Sequence, residues 1–196
     1  MSPPPGDARV PRLSPEEARA AAEEAGIPAM MADLSVFQVL LRNPRVAKAL
    51  QEMLTALLWQ GQLDGRLREL VIMRIGWATG SVYEWTQHWR VATGMGLSAG
   101  DLVGVRDWQA HEGFGPAERA VLAATDETLE TGAIGAATWA ECEAHVGGPA
   151  ELVELVVAIG NWRLFSSLLR SLEVPLEDGV VPWPPDGRRP PGVPGT

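Results

Sequence analysis

The sequence is poor in cysteine and in lysine. Its 196 residues include a single cysteine, Cys142, and a single lysine, Lys48. One thiol excludes an internal disulfide, a Cys-x-x-Cys redox pair and a zinc site built from several cysteines. The 16 basic residues face 25 acidic ones, a formal net charge of −9. This balance, without any basic run, argues against a nucleic-acid-binding protein.

Long apolar runs are also missing. The strongest runs are short and interrupted by charges, so the sequence predicts no membrane span. The first residues, MSPPPGDARVPR, lack the apolar core of a signal peptide. We therefore expect a cytoplasmic protein. Hydrophobic residues make up 46% and charged residues 21% of the chain, which is the balance of a protein with a buried core.

Proline is concentrated at the two ends of the chain. Proline fixes φ and lacks an amide donor, so these ends are expected to be extended rather than packed. The sequence predicts a flexible N-terminal arm over residues 1–13, one folded domain over 14–176 and a Pro-rich C-terminal arm over 177–196. Two roles stay open for the C-terminal arm with Trp183: it covers a neighbouring subunit, or it is disordered.

Helix signals follow one another between the arms. Ser14-Pro15-Glu16-Glu17 is a capping box with proline at the first helical position. Further helix starts are expected at or near Pro28, Pro44, Asp64, Ser81, Ser98, Pro116, Ala136 and Pro149. No segment shows the sustained alternation of a β-strand. The sequence therefore predicts a single all-α domain of about eight or nine helices.

Two consecutive helices carry the residues that are suited to chemistry. The helix over residues 64–79 is apolar almost all round and is therefore expected to be buried, which brings Glu69 into the interior. In the next helix, Glu84 and His88 are four residues apart on the apolar face. A tight connection at residues 80–81 would bring the three side chains together. A buried carboxylate beside an imidazole is a natural acid/base pair.

Each of these residues also has a structural interpretation. Glu84 is placed to cap the backbone amide of Ser81, as in an S-x-x-E box. His88 fits a core histidine, and Glu69 fits an ion pair with Arg66 or Arg74. The two carboxylates and the histidine would also suit a divalent metal, although we expect none.

The motifs LRELVIMR (residues 67–74) and GSVYEWTQH (residues 80–88) resemble the carboxymuconolactone decarboxylase and alkylhydroperoxidase D-like superfamily. The likeness is greatest to a branch with a YEW…H signature, and it covers residues 36–177. In the peroxidase members, a proton relay runs from a glutamate through two cysteines to a histidine. Glu69 and His88 match the relay positions, whereas Ser81 and Glu84 replace the cysteines.

The resemblance implies an alkylhydroperoxidase D-like helical bundle without thiol chemistry, because Cys142 lies far from the motif. It implies a catalytic set of Glu69, Glu84 and His88. His88 would be the main acid or base, Glu84 would orient it and Glu69 would complete the relay. Tyr83 could donate to a developing enolate or carboxylate oxygen.

The substrate pocket is expected to involve Ser81, Tyr83, Trp85 and Trp162, although tryptophans pack ordinary cores as well. Similar proteins tend to carry neutral polar residues where this chain has Arg163 and Arg170. These arginines suggest a substrate with a carboxylate.

These observations together predict a cofactor-independent acid/base enzyme for a carbon acid or lactone, acting by decarboxylation, isomerisation or ring opening and closure. The reaction would be a tailoring step on an aromatic or polyketide-like intermediate of bacterial secondary metabolism. Its partner would be a small-molecule substrate rather than nucleic acid or a membrane. We expect a homo-oligomer, whether dimer, trimer or hexamer. The alternative is a non-catalytic binding or assembly subunit that retains the family fold.

Overall fold

The computed structural model describes residues 7–193. Within this range the chain forms nine α-helices, two short 3-10 helices and no β-strand, which confirms the all-α prediction. The α-helices are α1 (Pro15–Glu24), α2 (Ser35–Leu40), α3 (Pro44–Trp59), α4 (Gly65–Thr79), α5 (Val82–Gly94), α6 (Ala99–Gly104), α7 (Pro116–Thr131), α8 (Ala136–His145) and α9 (Pro149–Ser171). The 3-10 helices are Ala29–Asp33 and Val105–Asp107.

Local sequence signals set most helix ends. Ser14 and Glu17 form the expected reciprocal capping box of α1, and Asp64 caps α4 through the amides of its first turn. Gly80 ends α4 with a φ of 70°, a left-handed conformation that favours glycine. The single helix expected from Pro28 is instead a 3-10 helix followed by α2, because the extended Leu34 separates them.

The chain divides into two compact units. In its described part, the first comprises residues 7–60 and 168–180. Here the N-terminal residues are packed: Ala8 is fully buried, the Arg9 amide donates to the Leu172 carbonyl, and the Leu13 amide donates to the Gln38 carbonyl. The predicted flexible arm is therefore held from residue 8 onward, and residues 1–6 of that arm lie outside the described range.

The second unit comprises residues 61–167 and 181–193 within the described range. Helix α4 lies at its centre and packs against α5 and α7, while α7 packs against α8. The side chains of α4 are buried on nearly every side, as its apolar circumference predicts. Consequently α4 carries Glu69 into the middle of this unit.

The C-terminal segment, residues 181–193, belongs to the second unit and packs within it. Trp183 is almost completely buried, with its ring 6.1 Å from those of both Trp77 and Trp85. Its amide donates to the Thr86 hydroxyl, and the Trp85 indole donates to the Pro184 carbonyl. Neither expectation for Trp183 describes this arrangement, because the prolines carry the tryptophan back onto α5.

The side chain of Arg106 contacts both this segment and the tryptophans that it packs against. The guanidinium of Arg106 lies 4.7 Å from the Trp77 ring centre and 4.8 Å from that of Trp85. It also makes two hydrogen bonds to Asp186, which lower the pKa of that carboxyl to about 2. Residues 183–186 therefore brace the first turn of α5, where Glu84 lies.

Helix α9 is long and apolar enough to span a membrane by length and composition, in contrast to the sequence-based expectation. Half of its most apolar window is buried within the protein. A core helix of a globular domain has the same properties.

Gly76 permits the close approach of α4 and α5. A Cβ at this position would lie 3.0 Å from the Trp85 backbone nitrogen, closer than normal packing allows. We expect Gly76→Ala to push α5 away and to lower the free energy of unfolding by about 1–3 kcal/mol in urea denaturation. Gly94→Ala is the control, because a Cβ there meets nothing within 4 Å. Equal stabilities of the two variants would contradict the close approach.

Candidate active site

Glu69, His88 and Glu84 converge between α4 and α5, and are called the triad below. His88 Nδ1 lies 2.8 Å from Glu69 Oε2. His88 Nε2 lies 3.6 Å from Glu84 Oε2, one helical turn before it. The imidazole therefore has a carboxylate near each ring nitrogen, in the order Glu69, His88, Glu84.

The three side chains of the triad differ in how much of their surface is exposed. The Glu69 side chain is 0% exposed, that of Glu84 6% and that of His88 12%. Burial raises the pKa of Glu84 to about 7; nearby His88 lowers it and Glu69 raises it further. Burial lowers the pKa of His88, but Glu69 and Glu84 outweigh burial and Arg68, so the net direction is upward. Glu84 thus titrates near neutral pH.

The capping interpretation of Glu84 is wrong. Ser81 donates its backbone amide to the Gly76 carbonyl at 2.8 Å, and no side chain caps α5. The Ser81 hydroxyl is itself buried without a hydrogen-bond partner. Glu84 is therefore available to His88.

The expected cation partners of Glu69 are also wrong. Arg66 binds Asp101 and Glu118, and Arg74 binds Asp126. The cation beside Glu69 is the buried Arg68, whose Nε lies 3.3 Å from Glu69 Oε1. Residues adjacent in a helix rarely face each other, so the sequence pattern gave no reason to pair these two.

Trp162 of α9 contacts the triad directly. Its indole Nε1 donates to His88 Nε2 over 3.2 Å, with the rings nearly perpendicular. The sequence placed Trp162 near a pocket but did not predict this bond. No local signal could have done so, because 74 residues separate the partners.

The other expected pocket residues are buried around the first turn of α5. Tyr83 and Ser81 are nearly inaccessible. Trp85 packs against Trp77, 5.3 Å between ring centres, which is the structural role that the sequence left open. The second unit contains a cavity of about 450 Å³ beside Trp108, but no triad residue lines it.

The two arginines that suggested a substrate carboxylate both lie on α9. Arg163 is exposed on α9 and donates to the Thr128 carbonyl, near the end of α7. Arg170 is exposed as well. Arg68 is the positive charge beside Glu69, and the substrate carboxylate suggested by Arg163 and Arg170 stays a prediction.

No group of three His, Cys, Asp or Glu side chains between residues 7 and 193 is arranged to hold a metal ion. In the triad, the Trp162 N–H occupies the lone pair of His88 Nε2 that a metal would need.

Comparison with known proteins identifies the central part of this fold. Residues 44–127 match the model of the carboxymuconolactone decarboxylase family. They include α4 and α5, and hence the whole triad.

Solved structures share the fold of this chain. An uncharacterised peroxidase-related protein from Ralstonia eutropha, described as an alkylhydroperoxidase AhpD core, has a TM-score of 0.71 at 16% identity, over 90% of this chain and 98% of its own. A putative antioxidant defence protein from Agrobacterium tumefaciens gives 0.62 at 22%, over 67% and 90%. The debrominase Bmp8 in complex with 2,3,4-tribromopyrrole gives 0.66 at 16%, over 86% and 91%. None of the curated proteins matches the sequence significantly.

Proposed function

We propose that this protein is a cofactor-independent acid/base enzyme that acts on a carbon acid or lactone by decarboxylation, isomerisation or ring opening and closure. One observation carries the proposal: a histidine lies between two buried carboxylates, 2.8 Å from one and 3.6 Å from the other. Such a set can take a proton from carbon and return one to the product.

The roles follow from the positions. Glu69 is fully buried and accepts from His88 Nδ1, so it orients the ring and stabilises its charged form. His88 presents Nε2 as the base. Glu84, with a pKa of about 7, is partly protonated at neutral pH and can supply a proton as the general acid.

The state of the only cysteine supports chemistry without a thiol. Cys142 is buried in α8, and its thiol contacts the Ala120 carbonyl at 3.7 Å. Burial raises its pKa to about 11, helped by Glu127 and Glu141. A thiol in this state contains almost no thiolate at neutral pH, so it is a poor peroxidatic nucleophile.

The substrate class rests on fold similarity. Bmp8, which shares the fold, is a debrominase that was captured with a brominated pyrrole. We extend this to an aromatic or polyketide-like intermediate as the substrate, and to a tailoring reaction in bacterial secondary metabolism.

The proposal includes self-assembly in the cytoplasm. Val153, Val157 and Leu164 are exposed along one face of α9 at helical spacing. A face of this kind suits contact with another copy of the chain. The free, buried Cys142 fits a reducing compartment.

A non-catalytic binding subunit is the second candidate. One observation favours it: the Trp162 indole occupies His88 Nε2, and the His88 side chain is only 12% exposed.

A substrate panel separates the two candidates. The purified protein is incubated in D₂O with aromatic carbon acids, β-keto acids and unsaturated lactones, and the products are analysed for deuterium, CO₂ and ring opening. The enzyme proposal expects turnover of at least one class above the buffer rate. Binding of a panel member without any exchange or turnover supports the non-catalytic subunit instead.

A further inference from the structure

The two ring nitrogens of His88 have partners of opposite hydrogen-bonding character. Nδ1 lies 2.8 Å from a carboxylate oxygen of Glu69, which accepts when ionised. Nε2 lies 3.2 Å from the indole nitrogen of Trp162, which can only donate. Both hydrogen bonds can form at once when the proton of the neutral ring is on Nδ1 and the lone pair is on Nε2.

The charged form of His88 does not fit the same arrangement. An imidazolium carries a proton on both nitrogens, so its Nε2–H would point at the indole N–H. Charging His88 therefore requires the Trp162 contact to break. The Nε2 proton would then point to Glu84, whose carboxylate oxygen is 3.6 Å away.

The two carboxylates beside the ring oppose the tryptophan contact, because they favour the charged form of His88. Glu69 on α4 and Glu84 on α5 favour the imidazolium, while Arg68 on α4 disfavours it, and the pKa of His88 is raised on balance. The α9 side contributes the neutral indole. Among the hydrogen-bond partners of the ring, Trp162 is thus the one that favours the uncharged form.

We propose that Trp162 is a positioning residue that holds His88 as the neutral Nδ1–H tautomer and covers its Nε2 lone pair until a substrate displaces the indole. In turnover, a substrate C–H would take the place of the indole N–H. Its proton would pass to Nε2, and its electron pair would stay on the substrate as an enolate. The part of the inference that concerns turnover rests on the proposed function; the tautomer does not.

Imidazole ¹⁵N spectra can test the tautomer without a substrate. The chain has three histidines, so ¹⁵N-histidine labelling gives three rings, and the His88→Gln variant identifies the signals of His88. Above the pKa of His88 we expect Nδ1 protonated and Nε2 unprotonated in the wild type. A dominant Nε2–H tautomer in the wild type overturns the proposal, whether or not any variant folds.

The variant Trp162→Phe tests whether the indole N–H is what favours the neutral Nδ1–H form of His88. Without the indole donor, the neutral form loses one hydrogen bond, so the pKa of His88 should rise by about 1, a tenfold gain in proton affinity. Trp108→Phe is the matched control, because it removes an indole bond to Asp126 and leaves the triad intact. An unchanged tautomer and titration in Trp162→Phe refutes the proposal.

The two proposals can fail separately. If His88 is the Nδ1–H tautomer but no panel compound is turned over, the proposed enzyme function fails and the role of Trp162 stands. If turnover occurs and His88 is the Nε2–H tautomer, the role of Trp162 fails alone.

Discussion

His88→Gln should lower kcat/KM by about 10²–10⁴-fold on any substrate that the protein turns over, because the variant loses the general base. Glutamine keeps a polar side chain of similar length, but its amide has no group that titrates near neutral pH. We therefore expect the loss to appear in kcat rather than in KM. Steady-state kinetics, with circular dichroism to verify folding, measure both.

His111→Gln is the matched control for this experiment. His111 is also a partly buried histidine next to a carboxylate, since its Nε2 lies 3.2 Å from Asp101 Oδ1. It lies outside the triad, so its variant should retain wild-type kinetics. A His88→Gln enzyme within a few-fold of the wild type would contradict the assigned role.

The pH dependence of kcat/KM follows from the same assignment. Activity should rise with pH as His88 loses its proton, and the pKa of His88 is raised above its ordinary 6.5. It should fall as Glu84 ionises at about pH 7. The two limbs of this bell-shaped profile belong to the coupled pair rather than to single residues.

The local parts of the site follow from the sequence. Glu84 and His88 lie four residues apart on the apolar side of α5, and Gly80 turns the chain so that α4 and α5 form a hairpin. These are short-range features with recognisable signals. They place the three triad side chains together without knowledge of the remaining fold.

Contacts between distant parts of the chain could not be predicted in this way. Trp162 and Trp183 reach the α4–α5 hairpin from positions 74 and 97 residues away from their partners. Such contacts depend on how α9 and the C-terminal segment pack, which helical periodicity does not determine. The prolines around Trp183 indicated extended backbone correctly, but not what the backbone lies against.

The contact between Arg68 and Glu69 could not be predicted from the sequence for a different reason. Helical geometry favours partners three or four residues apart, and the sequence analysis proposed Arg66 or Arg74 as the partner of Glu69. Both are drawn instead to carboxylates on other elements, Asp101 and Asp126 among them. The long Arg68 side chain is the one that remains beside Glu69.

Glu84→Gln should stabilise the protein above neutral pH and have little effect near pH 4. In the folded protein, burial raises the pKa of Glu84 from its ordinary 4.5 to about 7. The folded state therefore binds this proton more tightly than the unfolded state. As the pH rises from about 4.5 to about 7, the wild type should lose stability, and above that range the loss is complete.

The size of this effect follows from the pKa change. A tenfold change in proton affinity is worth about 1.4 kcal/mol, so a rise from 4.5 to about 7 corresponds to about 3 kcal/mol. Glutamine does not titrate and has nearly the same shape. We expect the variant to exceed the wild type by up to about 3 kcal/mol at pH 8 in urea unfolding.

Two features keep this measurement specific. The raised pKa of His88 acts in the same direction, because its stabilising charge is lost as the pH rises through its folded-state pKa. This contribution remains, in weakened form, in the variant. Glu112→Gln, which replaces an exposed carboxylate, serves as the control and should follow the wild-type curve. Parallel curves for Glu84→Gln and the wild type between pH 4.5 and 8 would contradict the burial cost at Glu84.

A positive result would also bear on why a glutamate occupies this position. A residue that lowers the free energy of unfolding by about 3 kcal/mol above neutral pH has a large effect, because proteins are typically stable by only about 5–15 kcal/mol. Glutamine would fill the same space beside His88 without that cost. Stability alone would therefore favour glutamine, and the carboxylate is explained by the proton that it exchanges near pH 7.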